Sequence, residues 1–376
     1  MSRYKMSDVA IEINERENNP ATSKYDRFVG LEHYISGDVI IRNFGSTERL
    51  ESTMKVFQNG DVLVARRNVY LKRASMVDFD GLTSGDSIVL RAKNPTIGRI
   101  LPFVLNTDEF WDFADQYSDG TMSKRLSPKT LMKYEFDLPA EDELEAFADL
   151  LWAANDTKEA YQALLCQTNE LVKSQFIELF SIEKGWPLVK LETLCDSIVR
   201  GPFGSALKVS FFVEKGTDTV KVYEQKNAIQ RSADLGESYV TQEKYQELKR
   251  FSCGPGDFIM SCSGTIGCLY QIPEGAEPGI INQALCKFHL NGKMLPEVFL
   301  TYMRNSVDQL ETKGSAIKNI GAVSYIKNME IALPTIDVQQ QFAEFINQSD
   351  KSKFELKQNI ENINALMKSL MQQDFV

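Results

Sequence analysis

Three clusters of basic and amide side chains could contact a polyanion. Lys and Arg can neutralise phosphates, Arg can form two hydrogen bonds with guanine, and Asn or Gln can do the same with adenine. The clusters contain Arg66, Arg67, Lys72 and Arg73, then Lys124, Arg125 and Lys129, and finally Lys313, Ser315, Lys318 and Asn319. Asn68, Asn227 and Asn319 carry the side chain suited to adenine. For any one of these residues, a solvated surface role is an equally open alternative.

The overall charge at first argues against a nucleic-acid partner, because the chain has a formal net charge of −10. The excess acid is concentrated, however. Residues 140–183 carry a net charge of −8, whereas residues 1–139 carry −1 and residues 184–334 carry +1. A domain that is nearly neutral overall can still present a basic face. The charge distribution therefore leaves nucleic-acid binding open for the two larger regions.

Residue patterns for catalysis are missing from the sequence. It has no G-x-x-x-x-G-K-[ST] phosphate loop and no N/D-P-P-Y/F tetrapeptide, which an enzyme that methylates a flipped adenine would be expected to carry. Two histidines and six cysteines without a C-x-x-C pair make a metal site improbable. We expect the cysteines to be small core residues. Asp61 and Asp257 each open an apolar strand, which favours a turn role over acid catalysis.

The length of 376 residues and a hydrophobic content of 43% predict two or three globular domains. No apolar run reaches the roughly 18 residues that a membrane span needs. The residues that follow Met1 are not an apolar stretch, so a secretory signal is not expected. The expected location is the cytoplasm, and no membrane partner is expected.

Two short segments indicate an internal repeat. Tyr134–Pro139 and Met329–Pro334 both alternate apolar and polar residues and stop at proline. This pattern predicts a short strand followed by a residue that cannot continue it. The two prolines are 195 residues apart.

After each proline, apolar residues recur at steps of three and four, the spacing of a coiled-coil seam. Each half is predicted to end in a helix of about 40 residues, about 60 Å long. A seam this narrow is usually buried by another helix, so the two helices are expected to pair as an antiparallel coiled coil. The same offset of 195 residues relates Phe147 to Phe342, Leu151 to Ile346, Tyr161 to Leu356, Leu165 to Ile360, and Val172 to Met367.

The regions before the helices contain short β-rich runs broken by Gly, Asn and Asp, with a few helical turns, which predicts the α+β class. Their repeat is looser, since Gly60–Val64 aligns with Gly256–Met260 at an offset of 196 while most other side chains differ. The predicted domains are residues 1–139 and 185–334, and the predicted helices are residues 140–184 and 335–376. Strands are predicted at Asp38–Arg42, Val62–Arg66 and Ser87–Arg91, and helical turns at Asp108–Phe113 and Glu297–Met303.

The order of these motifs resembles the specificity subunit of type I restriction-modification enzymes. The segments that carry the resemblance are Val29–His33, Trp186–Leu191 with Gly201–Ser205, Gly256–Ser261 with Ser263–Gly267, and Ile331–Pro334 with Gln339–Phe342. The chain departs from the pattern in its first half, which lacks a counterpart of Gly201–Ser205. There the glycine loop is replaced by Arg66–Arg73.

The resemblance implies two target-recognition domains, each followed by a long helix, in a subunit that is not itself catalytic. It implies a bipartite, asymmetric double-stranded DNA target, two methyltransferase subunits as partners and restriction subunits as further possible partners. S-adenosylmethionine, ATP and Mg²⁺ are then expected on those partners, with no cofactor or metal on this chain. The expected DNA contacts also include His33, Ser205, Lys208, Lys226, Ser263 and Thr265, and the expected partner contacts on the helices are Leu144, Phe147, Leu151, Trp152, Phe342 and Ile346.

Two smaller points stay open at this level. Gly201, Gly204, Gly264 and Gly267 could form plain tight turns or let the backbone approach a phosphate. The alternatives to the specificity subunit are a coiled-coil scaffold that binds no DNA, a catalytic enzyme, and a specificity subunit of a methylation-only or type II-like system.

Overall fold

The computed structural model of the protein describes residues 2–120, 123–312 and 323–375. The chain forms two compact units. The first unit comprises residues 1–165 and 355–376, and the second comprises residues 166–354. The boundary between the units therefore passes through both of the long helices.

The described residues of the first half form short strands, four short helices and then a long helix. In chain order the elements are β1 (Ser2–Lys5), α1 (Met6–Val9), β2 (Ala10–Ile13), β3 (Arg16–Glu17), β4 (Arg27–Val29), β5 (Gly45–Ser46), β6 (Met54–Phe57), β7 (Val62–Ala65), β8 (Ala74–Met76), β9 (Gly81–Thr83), β10 (Ser87–Ala92), α2 (Pro95–Val104), α3 (Asp108–Gln116), α4 (Pro128–Leu131), β11 (Glu135–Leu138) and α5 (Leu144–Phe180).

These strands form two sheets and one extra pair. One sheet has the order β2-β10-β7-β8, the other has the order β3-β6-β9-β4-β5, and β1 pairs with β11. Strand β7 is apolar and buried along its whole length, as expected for a strand covered on both faces. Helices α2 and α3 begin at the side-chain caps of Asn94 and Thr107, which accept hydrogen bonds from the free backbone N–H groups of the first turn.

The second half has a similar element order, with two additional short helices between its strands. Its elements are β12 (Leu188–Lys190), β13 (Cys195–Arg200), β14 (Thr219–Tyr223), α6 (Gln225–Ile229), β15 (Tyr239–Thr241), α7 (Gln242–Glu247), β16 (Ser252–Cys253), β17 (Phe258–Ser261), β18 (Leu269–Gln271), β19 (Gly279–Ile281), β20 (Leu285–Leu290), α8 (Pro296–Thr312), α9 (Val323–Lys327), β21 (Glu330–Ala332) and α10 (Ile336–Phe375).

The sheet topology is duplicated except for β3, which has no counterpart in the second half. The order β13-β20-β17-β18 matches β2-β10-β7-β8, the order β15-β14-β19-β16 matches β5-β4-β9-β6, and β12 with β21 matches β1 with β11. The parallel pair in each half is also equivalent, since β4 runs parallel to β9 and β14 runs parallel to β19. The predicted α+β class and the predicted internal repeat are confirmed.

An acid holds the same turn in both halves. Oδ2 of Asp61 accepts the N–H of Gln58 at 2.8 Å, and Oδ2 of Asp257 accepts the N–H of Gly254 at 3.0 Å. The remaining lone pairs bind the basic residue across the sheet, which is Arg91 in the first half and His289 in the second. These contacts agree with the predicted turn role of both acids.

The two long helices run antiparallel. In the first unit the start of α5 and the end of α10 share one core, where Leu144 and Leu151 are buried together with Met371. In the second unit the end of α5 meets the start of α10, where Phe180 packs edge-on against Phe342 with ring centroids 5.1 Å apart. The prediction of an antiparallel helix pair is confirmed.

Two predictions about local features are wrong. Asp38–Arg42 is not a strand, because this segment meets β8 at a single bridge between Ile40 and Met76 and its path is otherwise irregular. The cysteines are not all core residues, because Cys166 is exposed on α5. The segment near Asp38 has a strand-like pattern because Val39 and Ile41 are both buried, each in a different core.

Candidate nucleic-acid interface

Two of the basic loops lie side by side in the first unit. The loop between β7 and β8 is joined to the loop before α4 by backbone hydrogen bonds. The N–H of Asn68 donates to the carbonyl of Lys124 at 3.0 Å, and the N–H of Leu126 donates to the carbonyl of Arg66 at 2.8 Å. We call the cationic surface that results the arginine patch. It consists of Arg66, Arg67, Arg73, Lys124 and Arg125.

One carboxylate binds two arginines of the arginine patch. Oδ2 of Asp86 lies 3.4 Å from Nη1 of Arg67, and Oδ1 lies 2.5 Å from Nη2 of Arg125. The backbone carbonyl of Asp86 also accepts the N–H of Arg66 at 2.9 Å. The two arginine side chains stay 51% and 44% exposed, so both remain accessible from solvent.

The other cations of the patch are held by neighbouring groups. Burial lowers the pKa of Arg66, and the nearby positive charge of Arg125 lowers it further. Arg73 donates to the carbonyl of Leu31 at 2.9 Å and to the carbonyl of Arg67 at 3.2 Å, so it braces the loop. Nζ of Lys124 pairs with the carboxylate of Asp115 at 2.5 Å. The patch is therefore ordered by internal contacts in the chain itself.

The remaining predicted contacts of the first half are tied into local structure. Lys72 pairs with Asp108 at 2.8 Å. Asn68 has a left-handed backbone, with φ of 57°, and its Oδ1 accepts the hydroxyl of Ser123 at 2.9 Å. His33 is only 17% exposed and its Nδ1 accepts the N–H of Gly30 at 2.9 Å, so the ring closes a turn. Lys129 is exposed on α4.

In the second unit, the segment Ser263–Gly267, which we call the glycine loop, stands where the first unit has Arg66–Arg73. Both loops follow equivalent strands, and each begins with an equivalent backbone hydrogen bond. The N–H of Cys262 donates to the carbonyl of Ala284, and the N–H of Arg66 donates to the carbonyl of Asp86. Gly264 and Gly267 have φ angles of 63° and 82°, which an L side chain rarely adopts. The backbone geometry of these two glycines therefore fits a tight turn.

A glutamine holds the glycine loop in place. Nε2 of Gln225 donates to the carbonyl of Ser263 and, at 3.3 Å, to that of Thr265. This contact brings the loop against the start of α6, next to the exposed Lys226. Nζ of Lys226 lies 2.9 Å from Glu224. The second surface is therefore formed mainly by small side chains, backbone groups and one amide.

Two predicted site residues of the second half have internal roles instead. Asn227 is fully buried, and its amide is used up by the N–H of Glu224 and by the carbonyls of Ser232 and Leu235. It cannot read a base without loss of this turn. A Cβ at Gly201 would lie 1.9 Å from the carbonyl oxygen of Asn282, so this glycine is required for packing inside the domain.

Other predicted residues are exposed or fall outside the description. Ser205 and Lys208 are exposed on the loop after β13, near Phe203, which is 61% exposed and lies under the guanidinium of Arg200. Gly204 in this loop has a φ of 66°. Lys313, Ser315, Lys318 and Asn319 lie outside the described residues.

The residues predicted to bind partners on the helices bind the chain's own domains. Leu144, Phe147 and Leu151 are buried in the core of the first unit, and Phe342 is buried in the core of the second unit. Trp152 and Ile346 are half-buried, and Nε1 of Trp152 donates to the carbonyl of Arg99 at 3.0 Å. The seam faces inward because it covers these cores.

Neither a metal cluster nor a membrane helix is found in the described part of the chain. Among residues 2–120, 123–312 and 323–375, no group of three His, Cys, Asp or Glu side chains is arranged to hold a metal ion. None of the described helices is both long and apolar enough to cross a bilayer.

The sequence of the second half matches a known family. Its description is "Type I restriction modification DNA specificity domain", and the match covers residues 184–365. Residues 184–365 are therefore similar to this family. The match includes the glycine loop, β12 to β21 and most of α10, so it confirms the resemblance that the motif order indicated. No curated protein matches the sequence closely enough to add to this finding.

Solved structures share the fold over nearly the whole chain. One is a chain from a study of complex assembly and conformational transition of the type I R-M system, with a TM-score of 0.63, 17% identity, and coverage of 99% of this chain and 97% of that one. Another is the S subunit of a type I restriction-modification system from M. genitalium, with a TM-score of 0.55, 12% identity, and coverage of 100% and 96%. The fold of both halves is therefore that of type I specificity subunits.

Proposed function

We propose that this chain is the non-catalytic DNA specificity subunit of a type I restriction-modification complex. The observation that carries the proposal is the duplicated domain frame with different side chains at the same loop, together with the family match of residues 184–365. A domain fold that occurs twice with different surface side chains suits a protein that recognises two different DNA sequences. In this proposal the protein acts in the cytoplasm on double-stranded DNA.

The two domains would read the two parts of an asymmetric target. The first domain offers the arginine patch, whose cations attract phosphates and whose guanidinium groups suit guanine. The second domain offers the glycine loop, where the exposed Thr265 and the backbone can approach DNA closely. These surfaces differ in charge, so their half-sites should differ in sequence.

The long helices would set the distance between the half-sites and dock two methyltransferase subunits. Residues 140–183 carry a net charge of −8, which repels phosphates and better suits protein contacts. Since the seam is buried, a partner would use the exposed faces, where Leu150 and Leu171 are about half exposed. S-adenosylmethionine, ATP and Mg²⁺ would be bound by the methyltransferase and restriction subunits, which supply the catalysis.

The test is to co-express this chain with the methyltransferase encoded beside it and to map methylated adenines across the host genome. A gapped, two-part motif is expected. Continuous motifs, or no methylation with an active methyltransferase, would contradict the proposal. Adding the restriction subunit then distinguishes a cutting system from one that only methylates.

A double variant separates DNA recognition from a scaffold role. Changing Arg66 and Arg67 to alanine should weaken binding to the mapped target, because it removes two cations of the arginine patch. A coiled-coil scaffold without DNA contact predicts no affinity for any duplex and no effect of these changes. Electrophoretic mobility shift with the mapped duplex measures the difference.

A further inference from the structure

The position of one acidic residue in the arginine patch needs an explanation. Asp86 lowers the positive charge of this surface, and a lower charge weakens attraction to phosphates. A surface selected only for affinity would not place a carboxylate between two arginines. The benefit must come from another property of the pair.

That property is the fixed position of the two guanidinium groups. Asp86 takes one N–H from each guanidinium, namely from Nη1 of Arg67 and from Nη2 of Arg125. A guanidinium has five N–H donors in a rigid fork, so most of the donors stay free on both arginines. An arginine fixed before it meets DNA loses less rotamer freedom on binding and presents its fork in one orientation.

The charges around Asp86 strengthen this reading. Arg66, Arg67 and Arg125 lie around one carboxylate, and the pKa of Arg66 is lowered by burial and then by the charge of Arg125. Without Asp86, like charges would drive these side chains apart into solvent. The carboxylate therefore opposes their repulsion and keeps Arg67 and Arg125 as a pair.

The second domain supplies a natural comparison. Its frame has Ala284 in the position of Asp86, as the shared backbone hydrogen bond shows. The loop beside Ala284 carries glycines where the first domain has arginines. Asp86 therefore occurs in the first domain, where the loop carries arginines. The uncharged Ala284 occurs in the second domain, where the loop carries none.

We infer that Asp86 is a positioning residue that holds Arg67 and Arg125 as a two-arginine reader of guanine in the first half-site. This inference rests on the proposed function, because it assigns the chemistry of one half of the target. The first half-site should then contain at least one G·C pair whose N7 and O6 face an arginine. Asp86 should then determine specificity without contacting DNA itself.

The experiment compares Asp86→Asn with Asp115→Asn in the full chain bound to its methyltransferase. Both changes remove one negative charge beside the arginine patch, but Asp115 pairs with Lys124 and not with an arginine. Binding is measured by fluorescence anisotropy at several salt concentrations. The duplexes are the mapped target, the target with its first half-site scrambled, and the target with its second half-site scrambled.

Asp86→Asn should reduce discrimination at the first half-site by about tenfold, the value of one good bidentate base contact. It should leave discrimination at the second half-site unchanged and keep or raise affinity for the scrambled duplexes. Replacing guanines of the first half-site with 7-deazaguanine, which lacks N7, should weaken the wild type and have little effect on the variant. Asp115→Asn should keep the discrimination of the wild type.

Three outcomes would overturn the inference. Asp86→Asn could discriminate as well as the wild type, both variants could lose discrimination equally, or Asp86→Asn could lose discrimination at both half-sites, as a folding defect would cause. A variant with Arg67 and Arg125 both changed to alanine gives a further check, since Asp86→Asn should have no added effect in it. If the wild type prefers no duplex at all, the proposed function itself fails, which is a different result.

Discussion

The most informative perturbation is the removal of one heptad from each long helix. Phe176 on α5 faces Phe342 on α10, with ring centroids 5.7 Å apart. Residues 162–168 and residues 350–356 each form one heptad within their helix. Removing both heptads shortens the two helices equally and keeps the seam spacing along each helix.

The size of the effect follows from helix geometry. Seven residues at 1.5 Å each shorten each helix by about 10 Å. Since one turn of B-DNA spans about 34 Å and about 10 base pairs, this corresponds to about three base pairs. If the helices set the distance between the half-sites, the gap in the methylated motif should shrink by about three base pairs, or methylation should be lost.

Methylation mapping in a host with the variant measures the gap directly. Inserting one heptad into both helices at the same positions is the matched control, and it should lengthen the gap or abolish methylation. Deleting the heptad from α5 alone should disrupt the complex, because the facing seam residues lose their register. An active variant with an unchanged gap would refute the idea that the helices measure DNA.

Three further predictions concern stability and can be checked by urea unfolding. Changing Asp61, which is 1% exposed, to alanine leaves its arginine partner unpaired and should lower the free energy of unfolding by about 3 kcal/mol, whereas no loss would contradict a structural role. Phe342→Ala should cost about 3 to 5 kcal/mol, while Phe354→Ala on the same helix should change little because that ring is 61% exposed. Hydrogen bonds from Lys368 and a second lysine hold the pKa of Asp108 down to about 2, so its stabilisation is present above pH 4 and should be lost as the pH falls towards 2. Asp108→Asn should remove that part of the pH dependence, and an unchanged acid transition would argue against it.

The repeat and the helices could be predicted from the sequence because their signals are local. The seam of α5 and α10 is visible in apolar spacing, and the prolines that close β11 and β21 mark the start of each helical segment. The strands β7 and β17 follow equivalent Gly-Asp turns, where each acid caps its own turn. These features depend on residues within a few positions of each other.

The site could be predicted only in part. The two basic loops of the first half were found by composition, but Asp86, which links them, lies in an ordinary turn with no sequence signal of its own. The sequence does not reveal the role of Gln225, because this side chain binds carbonyls 38 and 40 residues away. The amide of Asn227 suits adenine, yet its partners lie in a buried turn.

The duplication, the class of each domain and the two long helices follow from local sequence patterns, because periodicity and breakers act over short distances. Which side chains face solvent depends on the folded chain. The seam residues Leu144 and Phe342 are occupied by the chain's own cores, and Arg67 and Arg125 meet at Asp86. Exposure and charge pairing depend on contacts between distant segments, and only the folded chain brings those segments together.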